Sequence, residues 1–182
     1  MATERIEHWL KSTRLSYYEI EQILTKQRYK ELLLKYRKKR THGEIIDFDK
    51  IKNAIETIAP EAVYWTTIYR EGLYEQFVHD IHNWRFQIRG LNVWVSHERP
   101  RNVNHTNRPW EIAVYSDDPP YIYMGRTSYD DGIAFSLSKW TTESIINLLM
   151  HLSEHTNQWK EEQQLINRLI EEGTIKRNSW ST

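Results

Sequence analysis

The chain contains no cysteine. This absence excludes a disulfide scaffold and any zinc site built on thiolates, and it is typical of proteins in the reducing cytosol. The chain also has no apolar run long enough to cross a membrane, and residues 1–5 lack the hydrophobic segment of a signal peptide. We therefore expect a cytoplasmic protein that does not engage a membrane.

Glycine and net charge are scarce as well. The six glycines form neither a phosphate-cradling loop nor the G-x-S-x-G elbow of a serine nucleophile. Nucleotide hydrolysis and covalent catalysis through serine therefore lack support, and we predict no cofactor. Basic and acidic residues number 25 each, so the charge of the whole molecule does not point to a nucleic-acid partner.

Aromatic residues are abundant in contrast. Eight Trp and eleven Tyr suit either a large aromatic core or a contact surface, and the core is the more usual place for them. A chain of 182 residues is most simply one domain that buries ~70% of the surface of its unfolded form. Such a domain needs no metal for its stability.

A meander of strands followed by an amphipathic helix forms the predicted centre of the fold. Residues 110–115, 121–126 and 133–137 alternate between apolar and polar positions, and short turns join them. Strands joined in this way are antiparallel, so their apolar face needs a cover. The cover is a helix that begins at Thr141 or Thr142. Its apolar stripe consists of Ile145, Leu148, Leu149 and Leu152.

Helical patterns precede this centre. Ser16 and Glu19 form a capping box, which predicts a helix whose last turn holds the basic residues 37–40 and which ends by Gly43. Asp47 is expected to cap a further helix. The three- and four-residue spacing of apolar residues predicts a long helix over residues 60–84.

The remaining segments complete the prediction. Residues 85–95 alternate as strands do, with a bulge or tight turn at Gly90, and residues 97–108 read as a loop. The last helical pattern is interrupted at Thr156 and Asn157 and resumes until Gly173.

The order of these elements predicts one α+β domain over residues 1–182. Its N-terminal part, residues 1–84, is expected to be mainly helical. Residues 85–173 are expected to hold a small antiparallel sheet of about four to five strands with the C-terminal helices packed on it. Residues 174–182 are expected to form a loose tail.

One short motif raises the possibility of metal chemistry. His151, Glu154 and His155 have the H-x-x-E-H spacing of inverzincin metalloproteases, in which two histidines bind zinc and the glutamate is the base. On a helix the three side chains span an arc of about 100°, so a common cluster is possible. The competing interpretation is a chance match of five residues, with Glu154 pointing to solvent.

A second histidine pair offers another metal hypothesis. His79 and His82 lie three residues apart on the predicted helix over residues 60–84, and His97 or His105 could complete a site. Histidines at this spacing are more often helix-edge residues with hydrogen-bond partners.

Two basic segments are the candidates for contact with a partner. The first contains Lys35, Arg37, Lys38, Lys39 and Arg40; the second, in the 97–108 loop, contains Arg99, Arg101 and Arg108. Lysine and arginine near tyrosine and tryptophan can bind phosphates and stack on bases. The competing interpretation of the first segment is a solvated helix face that ends in charges favoured by the helix dipole.

Three functional hypotheses remain. The first is a non-enzymatic cytosolic binding or regulatory protein of bacterial or phage origin, which engages a protein or nucleoprotein partner through basic and aromatic surface. The second is a small metal-dependent hydrolase or nuclease that uses His151, Glu154 and His155, or His79 and His82. The third is direct nucleic-acid binding through the basic segments. The sequence favours the first hypothesis and leaves the oligomeric state open.

Overall fold

The computed structural model describes residues 2–75, 77–101, 109–117, 122–124 and 135–177. Three helices come first: α1 (Ala2–Ser12), α2 (Tyr17–Tyr36) and α3 (Phe48–Ile58). Six strands follow: β1 (Val63–Glu71), β2 (Phe77–Ile88), β3 (Leu91–Pro100), β4 (Trp110–Tyr115), β5 (Ile122–Met124) and β6 (Phe135–Ser136). The long helix α4 (Thr142–Glu171) comes last, so the predicted α+β class is confirmed.

The six strands form one antiparallel sheet in the order β1, β2, β3, β4, β5, and β6 also pairs with β4. Arg89 and Gly90 close the hairpin between β2 and β3 with φ angles of 51° and 81°. Two successive positive φ values are the signature of a type I′ turn, which matches the twist of the two strands. The predicted tight turn at Gly90 is therefore confirmed.

One face of the sheet carries the main core. Side chains of β2, β3 and β4 pack there against α2, α3 and α4. The predicted stripe of α4 is buried on this face, and Trp84, Trp110, Trp140 and Trp159 are all fully buried. The covering helix that the sequence predicts for the central strands is thus confirmed.

A second core cluster lies where α1, α2 and α4 meet. Leu10, Ile20 and Leu24 pack there against the C-terminal half of α4, and Ile175 joins them. The backbone N–H of Tyr17 donates to the carbonyl of Lys176 at 2.7 Å. Residues 174–177 are therefore docked on the helices, which corrects the predicted loose tail; residues 178–182 lie outside the described residues.

The predicted helix over residues 60–84 is wrong, and so is a mainly helical part that extends to residue 84. This segment forms β1 and β2, and helices end at Ile58. The apolar residues Trp65, Tyr69, Phe77 and Ile81 recur at multiples of four. A spacing of four fits one helical turn, but it also returns to the same face of a strand, so the pattern alone does not separate the two.

Three boundaries also differ from the prediction. Helix α2 ends at Tyr36, so the basic residues 37–40 follow the helix instead of forming its last turn. Strand β3 continues to Pro100 into the predicted loop, of which residues 102–108 lie outside the described residues. Helix α4 passes through Thr156 without a break, and the Thr156 hydroxyl is satisfied inside the helix by donating to the Ser153 carbonyl at 3.0 Å.

Among the described helices, none combines the length and the apolar character that crossing a membrane would require.

Candidate protein-binding surface on the first hairpin

Exposed apolar side chains are concentrated on the hairpin of β1 and β2. Eleven large apolar residues of the described chain are exposed, and seven of them lie between Val63 and Phe77. Leu73 and Tyr74, at the tip of the hairpin, have 87% and 84% of their surface exposed. We call the seven residues the hairpin surface; they are Val63, Tyr64, Ile68, Tyr69, Leu73, Tyr74 and Phe77.

The local sequence explains why this segment forms a hairpin. Residues 63–69 read V-Y-W-T-T-I-Y, and every one of them is β-branched or aromatic, the types that strands favour. The chain then reverses through Gly72 and Glu75, whose φ angles are 102° and 54°. The register between the two strands runs from Val63 opposite Arg85 to Glu71 opposite Phe77 without a shift. The result is a regular two-stranded ribbon.

Both faces of this ribbon are partly apolar. The register places Tyr64 and Ile68 on the face that carries the buried Trp84, which is the face that the helices cover further along the sheet. Tyr69 and Phe77 lie on the opposite face. All four side chains are exposed, so neither face of the ribbon is covered by the described chain at these positions.

The outer edge of β1 is open in the part of the chain that the structure describes. β1 pairs with β2 on one side and with no described strand on the other. An edge strand presents a row of backbone N–H and C=O groups that can pair with another chain. The hairpin surface therefore combines backbone hydrogen-bonding groups with apolar side chains.

Polar contacts hold the ribbon in place beneath this surface. Arg101 donates three hydrogen bonds of 2.9–3.1 Å to the carboxylate of Asp80, and these bonds hold the pKa of Asp80 below its usual value. The Tyr64 hydroxyl lies 2.6 Å from Nδ1 of His82. The Lys52 ammonium lies 5.5 Å from the centre of the Tyr64 ring, so the base of the hairpin is tied to α3.

The aromatic side chains of the hairpin expose a sizeable area, which is divided between its two faces. The exposed fractions of Tyr64, Tyr69, Tyr74 and Phe77 are 41%, 48%, 84% and 57%. With ~200 Å² for each aromatic side chain, these four residues expose roughly 450 Å² in total. Scattered single apolar residues on a surface are normal, so it is their concentration on one hairpin that marks a candidate interaction site.

His79 and His82 lie on β2, in the segment for which the sequence predicts a helix, and the strand geometry separates their side chains. Residues three apart on β2 point to opposite faces, so the helical spacing argument no longer applies to this pair. Nδ1 of His79 lies 2.9 Å from Oε1 of Glu98 without the geometry of a hydrogen bond. His82 faces Tyr64, and burial lowers the pKa of its imidazole.

The face that carries His79 also holds a carboxyl group with a perturbed pKa. Burial raises the pKa of Glu111, and the charge of Glu98 raises it further, whereas a hydrogen bond from Ser96 lowers it. These residues line a cavity of about 170 Å³ with Ile81 and Pro109. Such a carboxyl group keeps its proton to a higher pH than an exposed one does. Carboxyl groups that are buried in a sheet for purely structural reasons share this property.

The H-x-x-E-H residues lie on α4, and the ring nitrogens of the two histidines have different partners. Nε2 of His155 lies 2.7 Å from the Tyr36 hydroxyl, and burial, followed by the charge of Lys35, lowers the pKa of His155. Nδ1 of His151 lies 2.9 Å from the carbonyl of Asn147, and Glu154 is exposed as expected. Within the described ranges, no three His, Cys, Asp or Glu residues are grouped closely enough to hold a metal ion.

The first basic segment is exposed in part. Lys35, Lys38 and Lys39 are exposed, and Arg37 and Arg40 are half-buried. Residues 38–40 run beside the chain that leads into α4: Lys39 forms a β-bridge with Trp140, and Arg40 donates its backbone N–H to the carbonyl of Lys139 at 2.9 Å. This placement does not test whether the segment binds nucleic acid, so that role stays a prediction.

The second basic segment is engaged within the molecule. The guanidinium of Arg101 is paired with Asp80, and that of Arg99 lies 5.3 Å from the centre of the Phe48 ring. Arg108 lies outside the described residues. The two described arginines therefore have protein contacts that phosphate binding would have to displace.

Comparisons with known proteins do not add a function. Neither the protein-family models nor the curated proteins nor the solved structures give a match to this chain.

The hairpin surface is the candidate site that the sequence reasoning missed. Three of its residues, Tyr69, Leu73 and Phe77, fall on the apolar stripe of the predicted helix over residues 60–84, which would bury them in the core. A usable signal was present, because seven consecutive residues of strand-forming type precede Arg70 and no run of this kind occurs in α1, α2 or α3. Strand propensity, which spacing analysis ignores, separates the two alternatives here.

Proposed function

We propose that this chain is a non-enzymatic binding or regulatory protein that engages a protein partner through the hairpin surface. The observation that carries the proposal is the concentration of seven exposed apolar residues on one edge hairpin. Exposed aromatic side chains beside an open strand edge are typical of protein contacts, because aromatic residues are enriched at interfaces and tyrosine is one of the types that contribute most of the binding energy there.

The open edge of β1 and the exposed apolar side chains of the hairpin predict how a partner is recognised. A partner strand could add to the edge of β1, whose backbone groups would give affinity, while side chains on either face would give specificity. Removing roughly 450 Å² of aromatic surface from water contributes about 11 kcal/mol at ~25 cal/mol/Å². This gain already includes the tip residue Tyr74 and is similar to the ~4–15 kcal/mol that association costs, so the aliphatic residues Val63, Ile68 and Leu73 have to contribute as well.

The proposal is tested with a pair of exposed residues at the tip. The variant Leu73→Ser/Tyr74→Ser removes two fully solvated side chains, so its free energy of unfolding should stay within about 0.5 kcal/mol of the wild type. Binding to the protein partner captured from the native host should weaken by about tenfold or more, as measured by titration of the isolated partner.

The matched control changes the same residue types elsewhere on the surface. Tyr18 and Leu34 lie on α2 with 53% and 80% of their surface exposed, so Tyr18→Ser/Leu34→Ser removes similar groups away from the hairpin. The control should keep wild-type affinity. Equal binding by both double variants would contradict the proposal.

A further inference from the structure

We infer that the outer edge of β1 pairs antiparallel with β1 of a second copy of this chain, so that one sheet continues across a symmetric dimer. This inference rests on the proposed function, because it assigns one part of the hairpin surface to a specific occupant. The edge is assigned to the second copy, and the tip residues Leu73 and Tyr74 stay available to a different partner.

The edge of β1 lacks the features that keep other edge strands unpaired. Exposed edges are usually protected by proline, by lysine, by a bulge or by a short strand length. β1 is nine residues long and has no proline and no lysine, and its register with β2 shows no bulge. Its only charged residues, Arg70 and Glu71, stand at the end of the strand. Residues 63–69 therefore form an uncharged edge that another strand can join.

The opposite edge of the sheet is formed by two short strands, β5 with three residues and β6 with two. β4 pairs with β3 on one side, and its other side is shared by β5 at Val114 and Tyr115 and by β6 at Glu111 and Ile112. Within the described residues, β1 is thus the strand that offers a long, regular, unpaired edge.

Symmetry then restricts the pairing. A two-fold axis perpendicular to the sheet keeps each face on its own side, so directly opposed residues must lie on the same face in both copies. This condition requires the axis to pass through a residue position. Thr67 is the middle residue of Val63–Glu71, and centring the axis there pairs all nine residues of the strand.

This register brings complementary side chains together. Trp65 would oppose Tyr69 of the second copy, an aromatic cross-strand pair, and Tyr64 would oppose Arg70, which places a guanidinium beside an aromatic ring. Val63 would oppose Glu71 of the second copy. Arg85 is the β2 neighbour of Val63 and lies on the same face, so opposite charges would flank Val63. No like charges are opposed in this arrangement.

The apolar area also suits a dimer. A stable protein–protein interface buries ~800 Å² on each partner. Without the tip residue Tyr74, the aromatic residues Tyr64, Tyr69 and Phe77 supply roughly 290 Å², about a third of this amount, and the rest would come from Val63, Ile68 and the backbone of the edge.

The experiment uses the residue on the proposed axis. Thr67 is exposed in the single chain, but in the dimer it would face its own copy. Thr67→Lys or Thr67→Glu would therefore oppose two like charges and raise the dissociation constant of the dimer by about tenfold or more. An equimolar mixture of the two variants would oppose Lys and Glu and restore the dimer. Sedimentation velocity of the full chain, which has a mass of 22.1 kDa, measures each case.

The controls are Thr41→Lys and Thr41→Glu, because Thr41 is an exposed threonine in the loop after α2. Both controls should dimerise as the wild type does. A wild type that stays monomeric at about 0.1 mM overturns the inference. Thr67 variants that dimerise as the wild type does, or a mixture that stays monomeric, would overturn it as well.

This test is separate from that of the proposed function. If the wild type is monomeric but Leu73→Ser/Tyr74→Ser loses its partner, self-pairing fails and the proposed function stands. If the dimer responds to Thr67 as expected while the tip variant binds the captured partner normally, the dimer stands and the binding role of the tip fails.

Discussion

Among the described residues, His97 is the most deeply buried histidine. Its ring lies on the helix-covered face of β3, with 1% of the residue exposed, and stacks on Trp110 with centroids 4.4 Å apart and planes at 7°. Burial lowers the pKa of His97 to about 4, because an imidazolium would lose its water there; the backbone of Pro109 offsets this only in part. The sequence could not assign this role, since it depends on the register of β3.

The low pKa of His97 predicts a stability that depends on pH. The unfolded chain binds a proton at this residue below about pH 6.5, whereas the folded chain stays neutral until about pH 4. The neutral state of His97 therefore makes its full contribution to the free energy of unfolding above pH 6.5. This contribution is lost as the pH falls from 6.5 to about 4. The difference corresponds to about 3 kcal/mol. Urea unfolding at about pH 7 and about pH 4.5 measures it.

The variant His97→Phe isolates this contribution. A phenyl ring can stack on Trp110 but cannot be protonated, while every other titrating group is retained. The variant should lose about 2–3 kcal/mol less than the wild type between the two pH values. Parallel pH profiles of the two proteins would show that His97 is not the group responsible.

Arg28 shows how one buried side chain links three elements. It lies on α2, and its guanidinium donates to Glu162 of α4 at 2.9 Å and to the carbonyl of Tyr123 in β5 at 2.6 Å. Arg28 and Glu162 are almost completely buried, with side-chain exposures of 3% and 7%. By local pattern alone, Arg28 is one of several basic residues on α2, which favours a solvated side chain. Its partner is 134 positions away, so no local pattern could have revealed the pair.

Breaking this link should be costly. In Arg28→Met the carboxylate of Glu162 is left buried without its cation, and the Tyr123 carbonyl loses a donor. We expect the free energy of unfolding at neutral pH to fall by about 3–5 kcal/mol, as for other buried ion pairs that lose one partner. Urea unfolding followed by circular dichroism measures the change.

The double variant Arg28→Met/Glu162→Met is the control. It removes both charges and replaces them with apolar side chains of similar length, so it should recover a large part of the lost stability. A cost below about 1 kcal/mol for Arg28→Met would mean that the pair does not hold the three elements together.

At the scale of the whole molecule, α4 connects the two core clusters. Its N-terminal half covers the sheet through Leu148 and Leu152, and its C-terminal half packs on α1 and α2 through Ile166 and Leu169. The helix has 30 residues without a break. A continuous helix shared by two clusters couples their unfolding, because neither cluster can lose it without exposing apolar surface of the other.

This coupling predicts a single unfolding transition. Leu10 belongs to the cluster away from the sheet, and Leu10→Ala should lower the free energy of unfolding by about 2–5 kcal/mol. Four of the eight tryptophans, at positions 84, 110, 140 and 159, belong to the sheet cluster, whereas Trp9 packs in the cluster of Leu10. With Trp9→Phe as the common background, the fluorescence change therefore comes mainly from the sheet side. Fluorescence and circular dichroism should shift to the same lower urea midpoint. Two separate transitions in either protein would show that the clusters unfold independently.

The sequence by itself determined the elements whose signals are local. The capping box of Ser16 and Glu19, the cap at Asp47 and the helix start at Thr141 are all present, because a cap depends only on residues within one turn. The alternation of Trp110–Tyr115 likewise predicted a strand, but β4 is buried on both faces instead of one, because Ala113 and Tyr115 pack with Trp94 on the face away from the helices.

Only the tertiary structure decided which faces are covered. The same four-residue spacing fits a helix and a strand, so the fate of Trp65, Tyr69 and Phe77 depended on pairing between β1 and β2. Long-range packing buried Arg28 and His97 and left the hairpin surface exposed, because burial is set by elements that are distant in the chain. Local sequence patterns therefore predict the helix caps, whereas the candidate binding surface depends on how the strands pair in the sheet.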